Sequence, residues 1–97
     1  AVEAAARVAA RASEPAKGVF TLSQALGTYC EDVAKHQPSA ATTFSQAKTI
    51  QLVLDPAMKL ADLTMAEAQR YVTVQRATMA NATVNRHLAL LARAIRH

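Results

Sequence analysis

The residues best suited to chemistry are three arginines and an asparagine near the end of the chain, and the chemistry is recognition of an anion. Residues 81–97, NATVNRHLALLARAIRH, contain no Asp or Glu and carry Arg86, Arg93 and Arg96 with His87 and His97. Steps of seven and four put Arg86, Arg93 and His97 on one side of a helix, flanked by Asn85 and Arg96. An arginine fork donates two parallel hydrogen bonds to phosphate or to a guanine edge, and an Asn amide pairs with adenine edges or phosphate. A second polar set lies upstream: Thr42, Thr43, Gln46, Lys48 and Thr49. Hydroxyls and amides approach bases or phosphates without the repulsion that an acid adds. Each set has a plainer alternative. Small polar residues are common on solvated helix faces, and arginines at a helix end complement the helix dipole.

Other chemistries find little support. The two glycines, Gly18 and Gly27, are isolated, so there is no phosphate-cradling loop. One cysteine and three dispersed histidines meet no zinc-ligand spacing. Cys30 precedes Glu31 and Asp32, which oppose thiolate formation, and reads as a small core residue. His87 has no carboxylate near it in sequence to make it a catalytic base and reads as solvated or phosphate-facing. Tyr29 and Tyr71 fall on apolar stripes and read as packing residues. No catalytic residue, metal ligand or cofactor is assigned, and the chain is read as not itself an enzyme.

Composition says what must position these residues. The 97 residues suit one small domain, and 52% apolar content with only 4% aromatics favours helices packed through small and aliphatic side chains. The formal charge of +4 favours an acidic partner. A single cysteine excludes an internal disulfide and fits a reducing compartment. No apolar run nears the roughly 20 residues that cross a bilayer, and no signal peptide opens the chain. A cytoplasmic location without a membrane partner is therefore expected. The chain lacks an initiator Met and stops on a helix without a cap, which reads as a piece of a longer protein.

The Ala-rich residues 1–18 read as a linker helix from an upstream domain, with Val2 and Val8 as the only larger residues able to dock it and a Glu3–Arg7 pair on its surface. Pro15 and Gly18 break it, and the compact domain is expected over 19–97. Thr21 with Gln24 predicts a capping box, and Leu22, Leu26, Tyr29 and Val33 form the stripe of the helix that follows. His36-Gln37-Pro38 should end it. Ser39 is the expected cap of a second helix over 40–54, with Phe44, Ala47, Ile50 and Leu54 facing the core. Thr64 with Glu67 predicts a third helix over 65–77, its inner side formed by Ala68, Tyr71, Val72 and either Val74 or Gln75. The turn 78–81 leads into the final helix, capped at Asn81 or Thr83, with Val84, Leu88, Leu91 and Ile95 inward.

The order of these pieces resembles the core-binding domain of phage-type integrases, the tyrosine recombinases. The resemblance rests on Phe20-Thr21-Leu22 opening a helix, a Thr/Ser-rich second helix ending at Leu54, Leu60-Ala61-Asp62-Leu63-Thr64 before the helix with Tyr71, and the phrase Thr83-Val84-Asn85-Arg86-His87-Leu88-Ala89-Leu90-Leu91. It covers roughly residues 19–97. It implies an all-α, four-helix SAM-like orthogonal bundle with an Ala-rich N-terminal linker helix. It also implies clamping of duplex DNA for site-specific recombination and DNA integration, alongside a separate C-terminal catalytic domain and other recombinase protomers. The second and fourth core helices would approach the major groove. Thr42, Thr43, Gln46, Lys48, Thr83, Asn85, Arg86 and Arg93 are then the candidate DNA contacts. Helix two offers only Lys48 as a cation, a departure that limits its phosphate contacts. Two alternatives stay open. One is a helical interaction or oligomerisation module using Leu90, Met79 or Val74. The other is a helix-turn-helix regulator built on the turn 78–81.

Overall fold

A computed structural model describes residues 2–13 and 19–97. The chain is all-α. Five helices are described: α1 (Val2–Ala12), α2 (Leu22–Asp32), α3 (Ala40–Val53), α4 (Met65–Arg76) and α5 (Asn81–Arg96). Short 3-10 turns, Ala34–His36 and Leu60–Asp62, follow α2 and precede α4. Among the described residues no helix is long and apolar enough to cross a membrane.

The start of α2 shows how sequence becomes local structure. A helix leaves its first amides without internal partners. Thr21 Oγ1 accepts from the Gln24 amide at 3.1 Å, and Gln24 Oε1 accepts from the Thr21 amide at 2.8 Å, which completes the expected capping box. The Leu22 and Ser23 amides donate instead to the Met58 and Pro56 carbonyls, at 2.8 and 2.9 Å. Leu60 N–H donates back to the Phe20 carbonyl at 2.8 Å, around an antiparallel bridge between Thr21 and Lys59. The connector before α4 is thus tied to the entrance of α2, a pairing that helical periodicity does not encode.

The other ends depart from expectation. Helix α2 closes at Asp32, and the 34–36 turn intervenes before Pro38. Ser39 occupies the cap position of α3 without a side-chain bond to the helix. Thr64 Oγ1 accepts from the Glu67 amide at 3.4 Å, but the Glu67 carboxylate pairs with Arg70 at 3.1 Å, so this box is half made. Helix α5 is capped at Ala80, with no side-chain bond from Asn81 or Thr83.

Helix α5 is the hub, packing against α1, α2, α3 and α4. Its stripe Val84, Leu88, Leu91 and Ile95 is buried as expected, and Leu90, Ala92 and Ala94 are buried too. A helix apolar around most of its circumference belongs at the centre. Leu22, Leu26 and Tyr29 of α2, Ala47 and Ile50 of α3, Leu54 just after it, and Ala68, Tyr71 and Val72 of α4 close around it. Phe44 is a correction: it is 42% exposed, and Thr43 beside it is buried in its place. Ala47, Ile50 and Leu54 of the expected stripe are buried, so the inward face of α3 continues through Thr43, in steps of four, three and four, and not through Phe44.

Helix α1 is the largest departure. With few large apolar residues to dock it, this segment reads from sequence as a linker helix outside the 19–97 domain. Its described part instead packs on α4 and α5, burying Ala5, Val8 and Ala12 in the common core. Alanines permit close helix approach, so small side chains suffice where backbones can come near. Glu14, Pro15 and Gly18, and the Val2 side chain, lie outside the described residues.

Candidate nucleic-acid interface

Docking of α1 beside α5 forms a groove of about 420 Å³ that the linear sequence conceals. Arg93 and Arg96 line it from α5, Arg7 and Arg11 from α1, with Asn85 and Glu3 in the same wall. Arg7, Arg93 and Arg96 are exposed, while Arg11 and Asn85 are half-buried. Arg93 is also positioned from the other side, because its Nε donates to the Tyr29 hydroxyl at 3.3 Å. The end of α5 is tied to the end of α2 as well. His97 Nε2 lies 3.1 Å from Asp32 Oδ2, and its ring stands edge-on to Tyr29 with centroids 6.0 Å apart.

Two polar atoms in this groove lack partners. Arg11 Nε and Asn85 Oδ1 are buried and, among the described residues, form no hydrogen bond. The expected Glu3–Arg7 ion pair is absent from the ion pairs of the described residues, which are Lys35–Glu31, Arg70–Glu67 and His97–Asp32. The groove's cations are therefore not neutralised by close carboxylate pairing within it.

The residues singled out in the sequence separate into groups. Asn85 and Arg93 share the α1–α5 groove. Arg86 is exposed on α5 but does not line it, and Thr83 is half-buried near the start of that helix. Thr42 is exposed, Gln46 half-buried, and Lys48 lines a different groove between α2 and α3 with Phe44, Leu52 and Cys30. Thr43, expected on the polar face, is buried.

His87 is a second correction. Expected to be solvated or phosphate-facing, it is only 4% exposed. Its Nδ1 lies 2.7 Å from the Tyr71 hydroxyl, and Gln75 Nε2 donates to that hydroxyl at 3.3 Å. Gln75 supplies one hydrogen and Tyr71 passes its own to Nδ1, so the remaining ring hydrogen belongs on Nε2. Burial holds the His87 pKa below its usual value and pushes the Tyr71 phenol up, the bond from Gln75 partly opposing the latter. Cys30 is half-buried, and burial together with Glu31 raises its thiol, which is therefore protonated near neutrality.

Sequence reasoning missed Arg7 and Arg11. Their i, i+4 spacing, which puts both on one side of the Ala-rich first helix, is the signal that could have found them. Compared with protein-family models, with curated proteins and with solved structures, the chain matches none.

Proposed function

We propose that this chain is a duplex-DNA-binding helical module, the core-binding part of a phage-type integrase, that clamps DNA for recombination carried out by a separate catalytic domain. The observation that carries the reading is the α1–α5 groove, where Asn85 and Arg93 join Arg7, Arg11 and Arg96. Arginine forks suit phosphate oxygens, and an Asn amide suits a base edge or a phosphate. The order of the helices and the Thr83–Leu91 phrase add the resemblance to the integrase domain. The chain's own part is binding and positioning, with no catalytic step assigned to its residues.

The test is duplex affinity measured against salt. Counterion release gives a log–log slope of about −0.9 per neutralised phosphate, so affinity should fall steadily as salt rises. Replacing Arg93 or Arg7 by Ala should weaken binding, and the Arg86→Ala/Arg93→Ala pair should weaken it further while circular dichroism stays helical. An affinity indifferent to salt would rule out the reading.

A second reading, a helical interaction module that does not bind DNA, draws on Phe44 and Leu52. Both are exposed, Leu52 at 79%, and both line the α2–α3 groove. The patch expected for that reading is corrected in part, since Leu90 is fully buried and Met79 half-buried, leaving Val74 exposed. Concentration-dependent self-association that Leu52→Ser abolishes, with no response to DNA, would favour it.

A further inference from the structure

We infer that the groove between α1 and α5 is a binding site for a phosphate group, and that a bound phosphate holds α1 on the bundle. Two helices contribute two arginines each, and Glu3 is the only acid among the described lining residues. Like charges gathered in one groove repel, and the docking of α1 bears that repulsion. What opposes it is close packing through small side chains, Ala5, Val8 and Ala12, against α4 and α5, with no charge of opposite sign paired across the seam among the described residues. A seam so positively charged lacks a counter-anion.

The orphaned atoms indicate what that anion offers. Arg11 Nε is a buried donor without an acceptor. A phosphate oxygen seated in the groove supplies one. Asn85 Oδ1 is a buried acceptor without a donor. A half-turn of its amide exchanges that oxygen for the NH2 group, a donor to a second phosphate oxygen. Arg93 is already steadied through the Tyr29 hydroxyl, which leaves its other N–H groups free to donate. A carboxylate brings two oxygens and one charge. A phosphate brings more oxygens for several forks approaching from two helices.

A free phosphate and a phosphodiester share this chemistry. The duplex arm of the test rests on the DNA reading above, whereas the free-phosphate arm does not. The whole chain is melted in inorganic phosphate and in sodium chloride at matched ionic strength, and amide exchange is followed along residues 2–12. Phosphate at about five times its Kd should raise Tm by about 4–8 °C over chloride, and exchange in α1 should slow more than in α3. Arg7→Gln and Arg96→Gln, at exposed positions, should keep the fold and lose the phosphate response, while Lys35→Gln should retain it. Equal melting and exchange in the two salts would overturn the site, as would a full response in both groove variants. In the duplex arm, DNA should protect α1 amides in the parent chain but not in Arg7→Gln. A phosphate response without DNA protection keeps the site and removes the DNA reading. No response to free phosphate overturns the site whatever the duplex does.

Discussion

Tyr71, Gln75 and His87 form a buried polar chain whose hydrogen count is satisfied only while His87 is neutral. Adding a proton turns Nδ1 into a donor. The Tyr71 oxygen would then accept from both neighbours, and its own hydrogen would be left without an acceptor. The consequence for stability has a definite sign. The folded pKa of His87 lies below its unfolded value, so the unfolded state holds more protons once pH falls below about 6.5. Stability is full above that value and declines as pH drops through the interval down to the folded pKa. Urea midpoints at pH 7.5 and 5.5 should fall further in the parent chain than in His87→Asn, which keeps an acceptor for Tyr71 but does not titrate. Tyr71→Phe should cost about 1–3 kcal/mol at neutral pH by leaving Nδ1 and the Gln75 amide unpaired, measurable by the same denaturation. At this scale the sequence was legible where chemistry follows from residue type. The donor chemistry of Arg93 and Asn85, a guanidinium fork and an amide, was readable. The burial of His87 was not, because Arg86 and His87 are neighbours in sequence while a helix turns them about 100° apart.

Among the elements, α1 carries most of what the groove requires. Its register puts Ala5, Val8 and Ala12, steps of three and four, on α4 and α5, while Arg7 and Arg11 fall on the groove side. Close approach is the condition for this packing, so enlarging an inward alanine should disrupt it. Ala5→Leu should cost about 1–3 kcal/mol and speed amide exchange throughout residues 2–12, whereas Ala6→Leu, at an exposed position, should do neither. Equal effects of the two substitutions in urea denaturation and exchange would contradict the docking register. The capping box of α2 was legible from Thr21 and Gln24 because both partners lie three residues apart in sequence. The bonds from Leu22 and Ser23 to Met58 and Pro56 were not, since those partners lie more than thirty residues downstream. Helix α3 shows a different limit. With Phe44, Thr43 and Ala47 all able to turn inward, pattern favoured the aromatic, and packing against α2 and α5 placed Thr43 inside.

For the molecule as a whole, the decisive feature is that four helices pack on one. Leu91 of α5 is fully buried in the shared core, so Leu91→Ala should cost about 2–5 kcal/mol. Because α5 touches every other helix, that loss should appear as an earlier single transition, with far-ultraviolet dichroism and tyrosine fluorescence moving together. Separate transitions would show that α1 or α3 unfolds independently of the hub. The number and approximate limits of the helices, the all-α class and the inward stripe of α5 followed from the sequence by itself. They rest on periodicity, propensity and breakers, which act over one or two turns of chain. Tertiary structure alone decided that an alanine-rich segment docks rather than trails, and that Arg7 and Arg11 come to share a groove with Arg93 and Arg96. It also withdrew His87 and Thr43 from the surface. The reason is physical: these outcomes depend on which faces of distant helices meet, and a face acquires its neighbours only when the chain has closed on itself.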